Sequence, residues 1–392
     1  MHRDSAEQAA LHGLLDSIRA TNGPIAPHWE AALKAAPRHL FLPRTIWQQD
    51  EGGTYVQVSA DSEPGRWLDL AYSNDAVVTQ INDGKPVASG DDVLPSSSAS
   101  DPSIVVRMLT MLDPRPGQKV LEIGTGTGWN CGLLAHAIGG QNVTSIEVDT
   151  DVAAHAADAL AHAGLKPHLV VADGAGGWPP HAPYDHVLAT CAVSNVPSAW
   201  LEQTRPGGTI LVPWNSPWCD YGLLHLTVQD DHTAEGRFSP YSAFMLMRTQ
   251  RRDIRLFRDV VHDEHQPAES RTTLSPWTVA GDDYDAQFAI GLRLPDLWFA
   301  WHHDPELDDV QTRLWVATTD TSSWAAIDYD GHQDNEFIVW QHGPRRLWDE
   351  IKDAWAWYDQ RSRPNPGRFG MTITPDGTHR AWLDEPGNQV PG

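Results

Sequence analysis

The amino-acid sequence predicts an α/β protein with a mostly parallel, doubly wound sheet, followed by an additional α+β C-terminal domain. Between residues 119 and 213, short apolar segments alternate with amphipathic helical segments, a pattern typical of a parallel sheet covered by helices on both faces. Within this region, residues 118–130 (QKVLEIGTGTGWN) join an apolar strand to a helix through alternating glycines. Residues 251–392 differ in composition and contain ten of the eighteen tryptophans.

The chain before the glycine-rich segment is predicted to be partly helical. Three helices are predicted from apolar periodicity and capping signals, over residues 8–20, 27–35 and 101–112. The segment 36–43 (APRHLFLP) is predicted to be a loop with Phe41 packed into a core. Residues 44–100 have no clear period, and a connection of this length predicts a functional segment or a small sheet.

Strands and helices then alternate. Further strands are predicted over residues 142–147, 168–172, 184–190 and 208–213, with helices over 130–138, 150–163 and 198–203. Ligands in such sheets bind beyond the carboxyl ends of the strands, where the glycine segment, Glu147 and Asp173 all fall. Two more strands, over 221–228 and 238–248, are predicted to extend the sheet antiparallel. The first domain is therefore predicted to span 1–250 and the second 251–392.

The spacing of the glycines distinguishes between cofactors. A dinucleotide fingerprint requires G-x-G-x-x-G, whereas this chain has E-x-G-x-G-x-G from Glu122 to Gly128. This pattern resembles motif I of the S-adenosylmethionine-dependent methyltransferases with a Rossmann-like fold. The resemblance implies S-adenosylmethionine as the cofactor. The residues that it assigns to the binding loop are Glu122, Gly124, Thr125, Gly126 and Gly128.

Two acidic residues downstream are candidate cofactor ligands. Glu147 ends the second predicted strand, where a carboxylate is placed to accept hydrogen bonds from ribose hydroxyls; the alternative is a charge that stabilises the next helix N-terminus. Asp173 and Gly174 follow the third strand and are both assigned to the cofactor site; an acid there is placed to accept from an adenine amino group. The alternative interpretation of Asp173 is an ordinary turn aspartate.

Composition excludes several classes of partner. The formal net charge of −24 disfavours binding to a phosphate backbone, so no nucleic-acid partner is expected. No apolar run approaches the roughly 18 residues of a membrane helix, and no signal peptide is recognised, which predicts a cytoplasmic protein without a membrane partner. Three cysteines without a C-x-x-C pair predict neither disulfides nor zinc. His262-Asp-Glu-His265 lacks the H-E-x-x-H spacing and is predicted to be a loop, so no metal is expected.

Further motifs narrow the resemblance to one family. They are Ser100-Asp-Pro102, IVVRM at 104–108, VLEIGTGTGW at 120–129, ADG at 172–174 and PGG at 206–208. Together they resemble protein-L-isoaspartate O-methyltransferase over roughly residues 10–250. The resemblance implies a carboxyl O-methyltransferase that yields S-adenosylhomocysteine, with Ser100 orienting the acceptor carboxylate. The structural alternative is that Ser100 or Asp101 caps the following helix. Trp129 and Asp101 depart from the residues usual in the family.

The C-terminal domain resembles that of actinobacterial homologues found with ribosomally synthesised, modified peptides. The segment with GPRRLW, RFGMTITPDG and WLD resembles the type that accompanies ATP-grasp ligases of graspetides, with the lanthipeptide type as an alternative. This resemblance implies methylation of an aspartate in a precursor peptide cyclised by a ligase, leading to aspartimide or isoaspartate. It also leads us to expect no counterpart of residues 251–392 in the repair enzyme.

Other functions stay open from the sequence. They are general isoaspartate repair, methylation of a small molecule, and peptide binding without catalysis. The tryptophans of residues 251–392 are either core residues or the lining of a peptide groove. A carboxylate acceptor is ionised at neutral pH, with a reference aspartate pKa of about 3.9. No general base is therefore needed, and catalysis is expected to come from alignment and desolvation, worth roughly 7–11 kcal/mol in ideal cases.

Overall fold

The computed structural model describes residues 2–50, 52–86, 93–240, 242–303, 310–332 and 336–392. Its contacts divide the chain into two compact units. The first unit comprises Met1–Cys191, Pro197–Val212 and Thr227–Thr233, and the second comprises Ala192–Val196, Pro213–Leu226 and Ala234–Gly392. Residues 251–392 thus belong wholly to the second unit. The functional boundary at residue 250 stays a prediction.

The first unit contains seven helices and nine strands among the described residues. The helices are α1 (His2–Asn22), α2 (Pro27–Ala35), α3 (Pro64–Ala71), α4 (Pro102–Leu112), α5 (Trp129–Ile138), α6 (Thr150–His162) and α7 (Ser198–Gln203). The strands are β1 (Thr45–Gln49), β2 (Tyr55–Ser59), β3 (Val77–Ile81), β4 (Pro95–Ala99), β5 (Val120–Ile123), β6 (Val143–Glu147), β7 (His168–Val171), β8 (Tyr184–Ala189) and β9 (Thr204–Trp214). Every predicted helix up to residue 203 is present.

Five neighbouring strands form the predicted parallel sheet, in the order β9-β8-β5-β6-β7. Strand β5 lies at its centre, and all four of its residues are buried. The order reverses at β5, because β6 and β7 follow on one side while β8 and β9 follow on the other. Such a switch point opens a crevice beyond the carboxyl end of the central strand. The predicted doubly wound fold is confirmed.

Residues 44–100 contain the small sheet that their length predicted. Its four strands are antiparallel and have the order β2-β1-β3-β4. The preceding segment 36–43 is held by Phe41, whose side chain is fully buried. The predicted core position of Phe41 is therefore confirmed, and strand β4 leads directly through Ser100 into α4.

The second unit is an α+β assembly, as predicted. Its strands are β10 (Gly222–Val228), β11 (Ala234–Ser239), β12 (Ala268–Thr272), β13 (Leu297–His302), β14 (Thr312–Thr318), β15 (Trp324–Tyr329), β16 (Phe337–His342), β17 (Phe369–Ile373) and β18 (His379–Leu383), and its helices are α8 (Pro276–Ala280), α9 (Tyr284–Arg293) and α10 (Leu347–Gln360). Five strands form an antiparallel sheet in the order β12-β16-β15-β14-β13. Strands β17 and β18 form the predicted hairpin around Pro375, Asp376 and Gly377.

One strand differs from its prediction. The sequence predicted a strand over 238–248, whereas β11 spans Ala234–Ser239 and a 3₁₀ helix occupies Arg248–Gln250. Pro240 follows β11 directly and has no N–H to donate to a ladder. The apolar residues after it were therefore misassigned to a strand.

Candidate active site

The glycine loop follows β5 and depends on backbone conformations that other residues rarely adopt. Gly124, Gly126 and Gly128 have φ angles of 93°, 54° and 86°. A Cβ atom at Gly124 would lie 2.9 Å from Thr190 Oγ1, and one at Gly128 would lie 3.1 Å from Ala156 Cβ. The loop is therefore built for close approach of the main chain, as its spacing predicted.

Helix α5 begins at this loop without a side-chain cap. Gly128 occupies the N-cap position and makes no side-chain hydrogen bond. By contrast, α4 and α6 are capped by the carboxylates of Asp101 and Asp149. The first N–H groups of an uncapped helix carry a partial positive charge and favour an anionic or polar ligand.

Thr125, a predicted contact residue, points into the protein. Its hydroxyl lies 2.6 Å from Ser145 Oγ, and its side chain is buried. Its N–H and that of Gly124 both donate to the carbonyl of Ile146, at 3.0 and 2.8 Å. The Thr125 side chain therefore anchors the loop to β6, and the predicted contact of Thr125 with the cofactor stays a prediction.

Glu122 is also placed beneath the loop. The side chain is fully buried, and its two oxygens accept from Asn130 Nδ2 at 2.6 Å and from Ser145 Oγ at 2.5 Å. Burial raises the pKa of Glu122 to about 7. The two hydrogen bonds stabilise the ionised carboxylate and so lower the pKa, but the effect of burial is larger. A glutamate with no exposed surface does not reach a ligand directly. Its predicted contact role is therefore corrected to one of positioning the loop and the first turn of α5.

Glu147 lies at the carboxyl end of β6, beside the glycine loop. One carboxylate oxygen accepts from Gly126 N–H at 2.9 Å, and the other accepts from the N–H groups of Val148 and Asp149 at 3.0 and 3.1 Å. The capping of α6 is performed by Asp149 rather than by Glu147. The half-buried carboxylate thus lies at the sheet edge where a ribose ligand was predicted, and its ligand role stays a prediction.

Asp173 and Gly174 follow β7 at the same edge. Asp173 is exposed, and one of its oxygens accepts from Ala175 N–H at 2.9 Å, which is the turn role considered as its alternative. Its other oxygen has no partner among the described residues. Gly174 is buried, and it packs so closely against β5 that a Cβ atom there would lie only 2.5 Å from Ile123 Cγ2. This close packing brings the turn that carries Asp173 against the end of β5.

Two exposed apolar residues beside these acids were missed by the sequence analysis. Val148 is 43% exposed and Val171 is 55% exposed, and Val171 pairs in register with Glu147. Val171 therefore exposes apolar surface next to Glu147, and Val148 exposes apolar surface directly after it in the chain, which suits contact with an apolar part of a ligand. In the sequence, these valines could have been recognised as candidates because they lie within two residues of the acids at the strand ends.

The acceptor side of the site is formed by β4 and its extension. A Cβ built on Gly126 would lie 3.7 Å from the Ser98 carbonyl oxygen, so β4 runs directly beside the glycine loop. Ser100 follows, half-buried, and none of the described residues hydrogen-bonds to its hydroxyl. Helix α4 is capped by Asp101, whose Oδ1 accepts from Ile104 N–H at 3.0 Å. The cap therefore falls to Asp101, and the Ser100 hydroxyl has no such structural task.

Arg38, which the sequence analysis did not single out, holds this segment in place. The side chain is 1% exposed. Its guanidinium donates to five backbone carbonyls, those of Ala71, Ser73, Asp75, Ala99 and Ser100. Burial lowers its pKa to about 10, partly offset by the charges of Asp101 and Asp75. The sequence signal that could have pointed to Arg38 is the presence of an arginine within the largely apolar segment 36–43.

Among the described residues, no group of three or more His, Cys, Asp or Glu side chains could hold a metal ion. His262 and His265 instead pack against each other, with ring centroids 5.1 Å apart. Over the same part of the chain, no helix has both the length and the apolar character that crossing a membrane requires.

The residues present fit S-adenosylmethionine. The glycine loop leaves room beside its main chain at Gly126, where a Cβ would meet nothing nearer than the Ser98 carbonyl at 3.7 Å, and α5 offers an uncapped N-terminus. Glu147 and Asp173 supply acceptors for hydroxyl and amino groups, and Val171, paired in register with Glu147, exposes apolar surface at the same sheet edge. Fold and site together define a Rossmann-like, S-adenosylmethionine-dependent methyltransferase.

Comparison with known proteins identifies the family. The family model of protein-L-isoaspartate(D-aspartate) O-methyltransferase matches residues 73–235. The protein-L-isoaspartate O-methyltransferase of Pyrococcus horikoshii is 36% identical over 151 residues, covering 38% of this chain and 68% of the relative. That of Aeropyrum pernix is 34% identical over 234 residues, covering 59% and 71%. The chain belongs to the protein-L-isoaspartate O-methyltransferase family and is a carboxyl O-methyltransferase.

A solved structure extends the fold comparison. A protein-L-isoaspartate O-methyltransferase structure aligns with a TM-score of 0.53 and 17% identity, covering 96% of this chain and 100% of that chain. The alignment therefore includes most of residues 251–392. Our expectation that this half has no counterpart in the repair enzyme was wrong at the level of fold.

Proposed function

We propose that the acceptor is the free carboxylate of an L-isoaspartyl residue in a peptide or protein. The observation that carries this proposal is the Ser100 hydroxyl, which lacks a partner among the described residues and sits on a backbone fixed by Arg38 beside the glycine loop. The family relatives support the same acceptor, since they carry the name of this activity.

The chain's own groups suffice for the acceptor side of the reaction. An isoaspartyl carboxylate is already ionised at neutral pH, so no base has to remove a proton from it. The Ser100 hydroxyl can donate to one carboxylate oxygen and leave the other free to attack. S-adenosylmethionine, when bound, supplies an electrophilic methyl group. The work left to the protein is to align and desolvate the carboxylate.

The direct test is methyl transfer from isotope-labelled S-adenosylmethionine to a short synthetic peptide. One peptide carries a single L-isoaspartyl residue, and its matched control carries L-aspartate at the same position. We expect base-labile methyl ester on the isoaspartyl peptide and at most trace ester on the control. Absence of ester on both, with S-adenosylhomocysteine binding intact by calorimetry, would overturn the isoaspartyl assignment.

A second candidate function is the methylation of one dedicated peptide substrate. The family match ends at residue 235, whereas the tryptophan-rich unit continues to residue 392. Several of its aromatic side chains are only half-buried, among them Trp298, Trp301, Trp340, Trp355 and Trp357. Half-exposed aromatic side chains beyond the family match support the proposal that a ribosomally made precursor, cyclised by a ligase, presents an aspartate that becomes aspartimide or isoaspartate.

The two candidates predict different preferences of the full-length enzyme. A dedicated enzyme would act on the cyclised precursor, which would gain one methyl group or lose one water in mass spectrometry, and would act poorly on generic isoaspartyl peptides. A repair enzyme would show the reverse ranking of kcat/KM. Precursors encoded next to this chain are the substrates to compare, in linear and cyclised form.

A further inference from the structure

The end of α10 carries an unusual arrangement of arginine and tryptophan. Trp355 and Trp357 are both half-buried and lie near the end of the helix at Gln360. Just beyond it, Ser362 and Arg363 adopt left-handed conformations with φ angles of 61° and 50°. Residues other than glycine adopt this conformation at a cost, and it marks positions where side-chain placement matters.

Two guanidinium groups, one just beyond α10 and one at the end of α9, lie over the same indole ring. The Cζ atom of Arg361 lies 4.5 Å from the centre of the Trp357 ring, and that of Arg293, at the end of α9, lies 5.5 Å from it. Arg363 lies over the neighbouring Trp355 at 5.1 Å. We call Arg293, Trp357 and Arg361 the Arg–Trp surface. It presents two cations on a rigid aromatic platform.

The two cations of the Arg–Trp surface have few partners. Arg293 donates to the carbonyls of Pro391 and Asp353, each at 3.0 Å, and Arg361 donates to the carbonyl of Trp357 at 3.2 Å. Neither forms an ion pair with a carboxylate within the described part of the chain. A guanidinium has five N–H donors, so the exposed Arg361 and the half-buried Arg293 each keep donors without a partner among the described residues.

Other arginines of the second unit show the contrast. Arg345 forms ion pairs with both Asp296 and Glu350, each at 2.5 Å. Arg363 is held by Asp359 at 2.8 Å. In a chain with a formal net charge of −24, Arg293 and Arg361 share one ring and form no ion pair among the described residues, and of the carboxylates only the nearby Asp353 acts on Arg293 through its charge, so their free donors suit an external anion.

We propose that the Arg–Trp surface binds a short acidic segment of the peptide substrate, with carboxylates on the guanidinium groups that Trp357 supports. This inference rests on the proposed function in taking the acceptor to be part of a peptide. The surrounding charge selects a short ligand, because Asp353 and Asp359 flank the surface and the whole chain is strongly acidic. A long polyanion such as a nucleic acid would meet repulsion along most of its length.

The test is direct binding, measured separately from methyl transfer. The probe is a dye-labelled aspartate-rich peptide without any isoaspartyl residue, compared with the same peptide carrying asparagine. Fluorescence anisotropy with the full-length chain should show binding of the aspartate peptide that weakens with salt. The double variant Arg293→Gln plus Arg361→Gln should weaken it about tenfold or more, as expected for the loss of two charge-assisted contacts.

A matched control isolates the site from general charge effects. Arg380→Gln removes one exposed cation of the same unit that lies over no aromatic ring, and it should change the affinity less than about twofold. Arg361→Lys should retain part of the affinity, since it keeps the charge and loses the planar donor fork. Thermal unfolding of each variant checks that the fold is retained.

Three results would overturn the proposal. They are equal binding of the aspartate and asparagine peptides, equal losses in the double variant and the Arg380→Gln control, and tighter binding of single-stranded RNA or anionic vesicles than of the peptide. Failure of the proposed function would look different. In that case the isoaspartyl peptide would not be methylated, whatever the affinity of the Arg–Trp surface.

Discussion

The cofactor side and the acceptor side of the site lie next to each other, yet they are built in different ways. On the cofactor side, the loop between Gly124 and Gly128 is shaped by local backbone conformations and by hydrogen bonds to the end of β6. On the acceptor side, Ser100 is held by the side chain of Arg38, which lies 62 residues earlier in the chain.

This difference determines how each side appears in a sequence. A loop set by successive φ angles requires particular residues at fixed spacing, so it produces a motif. A segment held by one distant buried cation requires only backbone carbonyls, which every residue has. The cofactor side is therefore recognisable in the sequence, and the acceptor side is vulnerable at a single position.

The largest effect is expected for Arg38→Met. This change leaves five buried or half-buried carbonyls without their donor, among them that of Ser100. Orphaned buried polar groups cost about 1–3 kcal/mol each where water cannot replace the donor, so we expect a loss of about 3–5 kcal/mol in the free energy of unfolding. Urea unfolding of the variant and the parent chain measures it.

Arg38→Lys is the matched control for that prediction. An ammonium group has three donors instead of five, so the lysine variant should retain part of the stability and none of the fork geometry. A loss below about 1 kcal/mol for Arg38→Met would show that the acceptor segment is held by other contacts. The two sides of the site would then be less different than the structure indicates.

Much of the cofactor side was predicted from the sequence. The alternating glycines, Glu147 and Asp173 all lie at the carboxyl edge of the parallel sheet, because strand ends and glycine turns are local signals. The role predicted for Glu122 failed because its position in the motif does not show that Asn130 and Ser145 enclose it. Spacing locates a residue along a strand, whereas burial depends on contacts across the sheet.

The acceptor side was predicted less completely. Ser100 was selected through the resemblance to the family. The sequence alone did not show whether Ser100 or Asp101 caps α4, and in the structure Asp101 is the cap. Arg38 was not selected, because a lone arginine beside apolar residues does not reveal which carbonyls it meets. Val148 and Val171 were missed for a related reason, since apolar residues at strand ends are expected to be buried.

The next prediction concerns the buried Glu122 beneath the loop. Burial raises its pKa from 4.5 to about 7. Between these two pH values the folded protein holds the proton on Glu122, whereas the unfolded chain has released it. Stability contributed by the protonated form is therefore lost as the pH rises from about 4.5 to about 7, and it is constant above that. Glu122→Gln removes the titration and should gain roughly 3 kcal/mol relative to the parent over this interval.

Urea unfolding at several pH values between about 4.5 and 8 checks this prediction, because only the difference in pH profile matters. The glutamine carbonyl can still accept from Asn130, and its amide can donate to the Ser145 hydroxyl. A change in packing would shift the stability equally at all pH values. Parallel pH profiles of the two proteins would contradict the raised pKa of Glu122.

Ser100→Ala tests the acceptor side without disturbing the fold. Its hydroxyl has no hydrogen-bond partner among the described residues, so its removal should leave the free energy of unfolding within about 0.5 kcal/mol of the parent. Loss of one donor to the acceptor carboxylate should lower kcat/KM for the isoaspartyl peptide about 10–100-fold. The affinity for S-adenosylhomocysteine should be unchanged.

Ser59→Ala, on β2 of the same small sheet, provides the control for that substitution. It removes a hydroxyl that accepts from Asp61 N–H. Strand β2 lies at the opposite edge of the four-stranded sheet from β4, the strand beside the glycine loop. Its kcat/KM should stay within about twofold of the parent. If Ser100→Ala also behaves this way, the acceptor carboxylate is oriented by another group and the assignment of Ser100 is wrong.

The smallest effects distinguish positions within the glycine loop. A methyl group at Gly124 combines a φ angle of 93° with a contact of 2.9 Å to Thr190 Oγ1, whereas one at Gly126 would meet only the Ser98 carbonyl, at 3.7 Å. We expect Gly124→Ala to raise the dissociation constant of S-adenosylhomocysteine about tenfold and Gly126→Ala about threefold, through backbone strain of about 1 kcal/mol. Calorimetric titration measures both. A greater loss for Gly126→Ala would mean that the ligand approaches Gly126 more closely than β4 does, and the boundary between the cofactor and acceptor sides would then lie within the loop itself.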